Sequence, residues 1–153
     1  MNRRDQIAMS PTEVAGFLDE QRVVVVATNT PSGWPHLMPL WYVVREGELW
    51  AWTYSKSQKV RNLERDARAT LQIEDGEEYQ ELRGVMVQAQ TVIHRDTEAV
   101  AELGAEIFRR YTAQSLGEGF LDAVRAQAAK RVGLQFVPQK IVSWDHRKLG
   151  GVY

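Results

Sequence analysis

The sequence predicts a mainly β fold, an antiparallel sheet or barrel with helices inserted between its strands. Three short connections in the first 80 residues have the composition of tight turns: Pro31-Ser32-Gly33, Glu46-Gly47-Glu48 and Asp75-Gly76-Glu77. The segments before and between them are rich in β-branched and aromatic residues. Because short turns join strands that run in opposite directions, this order predicts a meander.

The first predicted elements are a helix and a hairpin. Ser10-Pro11-Thr12-Glu13 has the residue types of an N-cap and a capping box, so residues 11–20 are predicted to form a short amphipathic helix. Residues 23–28 are β-branched and almost wholly apolar, which is typical of a strand buried on both faces. We expect this strand to pair with residues 36–45 around the first turn.

The next stretch, residues 49–71, alternates between strand and helix patterns. Trp50, Trp52 and Tyr54 are predicted to face one way along a strand, and the residues between them the other way. The chain then breaks at Ser55-Lys56-Ser57 and resumes as a short helix whose apolar pair is Val60 and Leu63. We interpret the aromatic stripe mainly as packing, with a flat ring system lying against it as the alternative.

The second half of the chain is predicted to contain a long strand, two helices and a closing strand. The long strand is predicted at about residues 79–94, and the first helix begins at Asp96 or Thr97. The second helix is predicted around residues 120–128 and the closing strand at residues 131–144. Glu106 and Arg110 are expected to form an ion pair one helical turn apart. The helical segment, about residues 97–130, is predicted to be an insertion into a single domain that spans residues 1–153.

Composition excludes several classes of function. A net charge of −1 gives no overall attraction to nucleic acid or to anionic membranes. The absence of cysteine excludes disulfides, thiolate metal sites and thiol catalysis, and it fits a reducing cytoplasm. No apolar run approaches the ~18 residues of a membrane span, and the first ten residues lack the apolar core of a signal peptide. We therefore expect a cytoplasmic protein.

The sequence carries no pattern typical of a metal site or of a catalytic nucleophile. His36, His94 and His146 lack the spacings of metal ligands, so no metal is expected. The chain contains no GxSxG, Walker A or GxGxxG pattern. No catalytic side chain is identified from the sequence.

The group Ser57-x-Lys59-x-Arg61-Asn62 is the one chemical signal that gains from its context. It lies where a strand ends and a helix begins, so free backbone N–H groups and the positive end of the helix dipole come together with Lys59. Such a corner predicts a phosphate-binding site. Thr53 precedes it, and Pro39 interrupts a neighbouring strand, where proline predicts an edge, a bulge or the approach of something other than a strand. A ligand that combines a ring and a phosphate needs this arrangement.

Four segments resemble a known family over about residues 10–146. They are VVVVATNTPSGWPHLMPLWY, WAWTYSKSQKVRNLERDARATL, ELRGVMVQA and IVSWDHRKL. The chain resembles the flavin- and deazaflavin-binding split β-barrels, the superfamily of pyridoxamine-phosphate-oxidase-like proteins. The block RNLERDARATL is most similar to the actinobacterial branch that binds the deazaflavin coenzyme F-420. The resemblance implies a six- or seven-stranded antiparallel split barrel of the FMN-binding type, forming a homodimer with two cofactor sites at its interface.

The resemblance also implies which residues bind the cofactor. Those beside the ring, mainly through their backbone, would be Met38, Pro39, Leu40 and Trp41. Those that hold the phosphate would be Ser57, Lys59, Arg61 and Asn62. The remaining positions would be Thr53 at the ribityl chain or ring edge, Gln80 reaching the ring from the second subunit, and the closing-strand pair Trp144 and Arg147.

The function implied is a reductase that transfers a hydride from reduced F-420 to an electron-poor organic substrate. Two departures from the flavin oxidases favour this branch. Tyr54 and Ser57 are three positions apart, where those oxidases have two, and the basic substrate-binding residues of pyridoxamine-phosphate oxidases are not recognisable. The alternatives are an FMN oxidoreductase of the same fold and a non-catalytic protein that binds or carries the cofactor.

Overall fold

Seven antiparallel strands form one hydrogen-bonded sheet in the computed structural model, which describes residues 2–112 and 117–151. The strands are β1 Val24–Thr28, β2 His36–Leu40, β3 Val43–Arg45, β4 Glu48–Tyr54, β5 Arg68–Asp75, β6 Arg83–His94 and β7 Arg131–Asp145. Their order across the sheet is β2-β1-β5-β6-β7-β4-β3. The predicted antiparallel fold of six or seven strands is confirmed, with seven.

The sheet curls until its two edges approach each other. β2 and β3 lie at opposite ends of the strand order, yet only Trp41 and Tyr42 separate them in the chain. Consecutive Cα atoms are about 3.8 Å apart, so the three steps from Leu40 to Val43 span at most ~11 Å. The result is a curled half-barrel with a narrow gap between its edge strands, as a split barrel requires.

Helices lie before, between and beside these strands. The α-helices of the described residues are α1 Arg3–Ile7, α2 Pro11–Glu20, α3 Gln58–Arg65, α4 Thr97–Tyr111 and α5 Phe120–Ala128. Two 3₁₀ segments cover Tyr79–Glu81 and His146–Leu149. The capping box predicted for α2 is present, because Ser10 and Glu13 each accept the other's backbone N–H through their side chains. Within the described ranges, no helix has the length and apolar character needed to span a membrane.

Two helices close opposite ends of the barrel. α2 packs where β4 begins, at the end marked by the buried Leu49. α3 packs where β4 finishes, and there Lys59 contacts Thr53. Val60 and Leu63, the predicted apolar pair of α3, are only 0% and 3% exposed. The predicted strand, corner and helix of residues 49–65 are therefore confirmed.

Helices α4 and α5 cover the outer face of β4 and β7. The ring of Trp52 meets Phe108 edge-on, with 6.0 Å between the ring centroids, and Trp50 stacks on His94 at 4.8 Å. A Cβ atom on Gly104 would lie 2.3 Å from the Trp52 ring, so only glycine lets α4 approach this closely. The packing interpretation of these two tryptophans is confirmed.

The predicted strand over residues 36–45 is wrong, because the chain breaks at Trp41 and Tyr42. Residues 36–40 pair with β1 as predicted, but Val43–Arg45 pairs with β4. The cause is Tyr42, which is fully buried and donates its hydroxyl to the Leu18 carbonyl at 2.6 Å. Burying this ring turns the chain from one edge of the sheet to the other. Pro39 does lie on an edge strand, as predicted.

Three smaller predictions also need correction. The long strand begins at Arg83 rather than at residue 79, because residues 79–81 form a 3₁₀ turn. The backbone carbonyl of Tyr79 in this turn contacts the ring of His146. Strand β1 is fully buried on one face only, because Val25 and Ala27, which point to the other face, are half-buried. Glu106 does not pair with Arg110. It pairs at 2.8 Å with Arg45 of β3, while Arg110 binds backbone carbonyls.

Candidate functional site

The corner between β4 and α3 carries a buried hydroxyl without a partner. Ser57 is the N-cap of α3 and has extended backbone angles, but its side chain makes no capping hydrogen bond. Its Oγ atom is buried and has no hydrogen-bond partner among the described residues. Because an unsatisfied buried hydroxyl is destabilising, a corner built this way is suited to receive a polar group from outside the chain.

Lys59 and Asn62 point from α3 into the end of the barrel. The ammonium group of Lys59 donates to Thr53 Oγ1 at 2.9 Å, and Lys59 is only 7% exposed. The amide of Asn62 donates to Thr28 Oγ1 at 3.0 Å and accepts from Gln58 at 2.9 Å. These contacts tie the helix to the ends of β4 and β1, so Lys59 is held in place by structure on two strands.

Arg131 is a residue of this corner that sequence reasoning missed. It begins β7 and lies opposite Tyr54 in the β4–β7 register. Its guanidinium carbon is 4.1 Å from the centroid of the Tyr54 ring and 4.6 Å from that of Trp52. Its Nε atom is buried without a hydrogen-bond partner in the described structure. The aromatic rings hold the guanidinium in place and leave its donors available.

The charges of Lys59 and Arg131 act on each other. Burial lowers the pKa of the Lys59 amine, and the positive charge of Arg131 lowers that pKa further. Among the described residues, neither cation forms an ion pair with a carboxylate. Two neighbouring cations without a carboxylate partner, at a corner that also has an unpartnered hydroxyl, are suited to bind an anion.

The lowered pKa of Lys59 makes stability depend on pH. In the unfolded chain this amine titrates near ~10.4, whereas in the fold its pKa lies below the ordinary value. Between the two pKa values the unfolded chain binds more protons, so the free energy of unfolding contributed by Lys59 rises with pH across that window and is lowest below it. We expect this rise in urea unfolding of the protein without cofactor, and its loss in Lys59→Met. Equal pH slopes for the two proteins would contradict the assignment.

Arg61, one helical turn after Ser57, lies on a different side of α3 from Lys59. At about 100° per residue, its side chain is some 200° around α3 from that of Lys59. Arg61 is exposed, whereas Lys59 and Asn62 are buried. The structure therefore brings Ser57, Lys59 and Asn62 to one corner together with Thr53, and leaves Arg61 on the solvent face of the helix.

The predicted ring-side residues lie along the edge strand β2 and just beyond it. Met38 is 42% exposed and pairs with Val26, two residues from the Thr28 that Asn62 contacts. Trp41 is 49% exposed and stacks on Tyr111, with 4.5 Å between the ring centroids. These residues form an exposed apolar surface on the strand next to β1. Pro39 is also exposed but points to the opposite face of β2 from Met38, and Leu40 is half-buried against the core.

The remaining predicted cofactor residues lie at the end of the sheet away from the Lys59 corner; they are Gln80, Trp144 and Arg147. Trp144 is on β7, thirteen residues beyond Arg131, which is about 40 Å along an extended strand. Gln80 is in the 3₁₀ segment that contacts the segment containing Arg147. Arg147 itself forms a two-point ion pair with Asp145, at 2.7 and 2.9 Å, and this hydrogen bonding lowers the pKa of Asp145. Within one chain these three residues do not converge with Lys59.

Gly84 is required by the position of Trp144. The two residues face each other in the β6–β7 register, and a Cβ atom on Gly84 would lie 2.3 Å from the Trp144 ring and 2.9 Å from the Ile73 carbonyl oxygen. We expect Gly84→Ala to destabilise the protein by about 1–3 kcal/mol through overpacking. Gly16→Ala, in a helix with nothing within 4 Å, is the control and is expected to stabilise by about 0.5–1 kcal/mol. Thermal unfolding measures both, and an unchanged Gly84→Ala would contradict the contact.

Two of the three histidines form side-chain contacts with other elements, and the buried Nδ1 of His36 has no partner in the described structure. His94 contacts Gln135 at 2.9 Å and His146 contacts the Tyr79 carbonyl at 2.9 Å. In the described part of the chain, no three His, Asp or Glu side chains are grouped in a way that could hold a metal ion.

A protein-family model and several solved structures match most of the chain. The family model of pyridoxamine 5′-phosphate oxidase matches residues 10–145. The crystal structure of the conserved hypothetical protein Rv2991 from Mycobacterium tuberculosis is 39% identical, with a TM-score of 0.90, and the match covers 100% of this chain and 95% of that one. No curated protein matches the chain.

Two further solved structures share the fold at low identity. An F420 reductase is 20% identical with a TM-score of 0.66, over 82% of this chain and 93% of that one. HutZ, the heme storage protein from Vibrio cholerae, is 17% identical with a TM-score of 0.67, over 87% and 94%. At these identities the likeness is one of fold alone.

Proposed function

Because the chain belongs to the pyridoxamine 5′-phosphate oxidase family of split barrels, we propose that it is an oxidoreductase that uses the deazaflavin coenzyme F-420. The observation that carries this proposal is the pair of cations Lys59 and Arg131, which have no carboxylate partner among the described residues and lie beside the unpartnered Ser57 hydroxyl. A phosphate group on the cofactor chain supplies the negative charge and the acceptors that this corner lacks.

The residues of the corner have distinct roles in this proposal. Lys59 and Arg131 neutralise the phosphate, and Ser57 donates its hydroxyl to it. Thr53 and Asn62 hold the Lys59-bearing helix against β4 and β1. When bound, the reduced deazaflavin supplies a hydride for an electron-poor organic substrate. The protein contributes orientation, charge and exclusion of water, with water or a tyrosine as the proton donor.

The ring would lie on the apolar surface of β2, near Met38 and Trp41. Both side chains are exposed in one chain, and β2 is an edge strand. We further propose a homodimer in which this surface is covered by the second subunit. The separation of Trp144 and Gln80 from Lys59 along the sheet supports it, because a second chain can bring its own Trp144 and Gln80 to the Lys59 corner of the first. Arg61 and Arg147 then lie at the margins, where the chain of the cofactor leaves the site.

A cofactor titration tests the proposal. Calorimetry with reduced F-420 and with FMN on the same protein is expected to show saturable binding of F-420 and at least about tenfold weaker binding of FMN, which is a difference of ~1.4 kcal/mol. The purified protein is expected to be colourless. A yellow protein with flavin absorbance, or tighter binding of FMN, would instead support the alternative of an FMN oxidoreductase.

The second alternative is a non-catalytic protein that binds or carries the cofactor. The corner favours binding as such, because it contains cations and hydroxyls but no carboxylate or imidazole that could act as a general acid. Binding of reduced F-420 without its oxidation by a panel of quinones, enones and tetrapyrroles would favour this role. Turnover with any member of the panel would support the reductase.

A further inference from the structure

A cavity of ≈ 440 Å³ opens at the end of the barrel that α2 covers. Leu18 of α2 forms one wall, and Leu49, Val85 and Phe136 of the barrel interior form the other. A void in a well-packed core rarely exceeds the size of a water molecule. This cavity instead falls within the ~300–1,000 Å³ that is usual for small-molecule sites.

An irregularity in the pairing of β7 lies next to the cavity. Gln88 of β6 pairs with Lys140 and its neighbour Ala89 pairs with Pro138, so Gln139 is an extra residue without an opposite. Such a bulge bends the strand that contains it. Pro138, on one side of the bulge, lines the cavity. The bulge is therefore adjacent to the wall of the cavity.

The charges at the cavity are of one sign. Asp19 and Glu48 are the only charged residues that line it in the described structure, and both are acids. Glu48 accepts a hydrogen bond from Gln135 at 3.3 Å, and neither acid forms an ion pair. The remaining lining is mostly apolar, apart from Ser143. An apolar interior with carboxylates around it complements a molecule that has an apolar body and a cationic head.

We propose that this cavity is a second ligand site, which binds small amphipathic amines with the alkyl part inside the barrel and the ammonium group between Asp19 and Glu48. The site is separate from the Lys59 corner. Leu49 at the cavity and Thr53 at the corner lie four residues apart on the same face of β4, which corresponds to about 13 Å. The two sites also select opposite charges.

Three probes that share an eight-carbon chain test the proposal: n-octylammonium, n-octanol and n-octanoate. Titrated into the ¹⁵N-labelled protein, n-octylammonium is expected to shift the amide signals of Leu18, Leu49 and Phe136 in a saturable way. Octanol is expected to bind about two- to fivefold more weakly and octanoate more weakly again, which is the size of partly exposed charge interactions. Absence of saturable shifts with all three probes, or octanoate binding as tightly as octylammonium, would overturn the proposal.

Variants locate the binding. Ala15 lines the cavity on the exposed side of α2, so Ala15→Phe fills the mouth and is expected to abolish the shifts, whereas Ala15→Ser is the matched control and retains them. Combining Asp19→Asn with Glu48→Gln is expected to remove the preference for octylammonium over octanol. Unchanged binding to folded Ala15→Phe, or a retained preference in the double variant, would contradict the assigned position. Lys59→Met is expected to leave octylammonium binding unchanged.

Discussion

Replacing Lys59 with methionine is expected to weaken the binding of reduced F-420 by roughly 10- to 100-fold. The change removes a hydrogen bond from a charged donor to the phosphate, and such bonds contribute about 1.5–3 kcal/mol. Methionine keeps the length of the apolar stem, which is buried in the barrel end. Calorimetric titration of the folded variant measures the loss.

Lys56→Met is the matched control for net charge. Lys56 precedes the same helix by two residues but is exposed, so its removal is expected to change affinity by less than about threefold. If Lys59→Met binds F-420 as tightly as the unaltered protein, Lys59 does not belong to the site. If both variants lose affinity equally, the attraction comes from the overall field of the basic helix and not from the corner.

Replacing Arg110 with methionine is expected to lower the free energy of unfolding by about 2–4 kcal/mol. The guanidinium group donates to the carbonyls of Leu18 at 3.0 Å and Gln21 at 2.8 Å, and its carbon lies 4.4 Å from the centroid of the buried Tyr42 ring. It thereby joins α4 to α2 and to the break between β2 and β3. Without it, the carbonyls of Leu18 and Gln21 keep only the Tyr42 hydroxyl as a side-chain donor.

Urea unfolding compares this variant with Arg109→Met. Arg109 is the preceding residue of α4 and is exposed, so its replacement is expected to change stability by no more than about 0.5 kcal/mol. A loss of less than that amount in Arg110→Met would show that α2 is held by its apolar contacts alone. Because α2 also covers the second cavity, a large loss is expected to weaken octylammonium binding as well.

The elements of this fold were largely predictable because they depend on local patterns. The capping box at Ser10, the alternation of β4 and the apolar pair of α3 each involve residues close in sequence, and the structure confirms them. The break at Tyr42 was not predictable in this way. It depends on burying one ring against α2, more than twenty residues earlier in the chain.

Arg131 shows why the site could be predicted only in part. Its place at the corner follows from the register of β4 and β7, which sets it opposite Tyr54 although 76 residues lie between them. No local pattern contains that register. A cation at the first position of the closing strand was the available signal, but it gains meaning only when the aromatic stripe of β4 is known to be its neighbour.

The corner also links stability to function. In the protein without cofactor, burial and then the charge of Arg131 lower the pKa of the Lys59 amine, so its charged form is destabilising. A bound phosphate removes that repulsion. The binding of F-420 is therefore expected to raise the unfolding temperature of the unaltered protein by more than it raises that of Lys59→Met.

The crystal structure of the complex with F-420 tests the central claim most directly. The account predicts that the phosphate oxygens lie within ~2.7–3.2 Å of Lys59 Nζ, of the Arg131 guanidinium and of Ser57 Oγ. It would be contradicted by a phosphate bound elsewhere, with Lys59 still donating only to Thr53 and with Arg131 free between Trp52 and Tyr54.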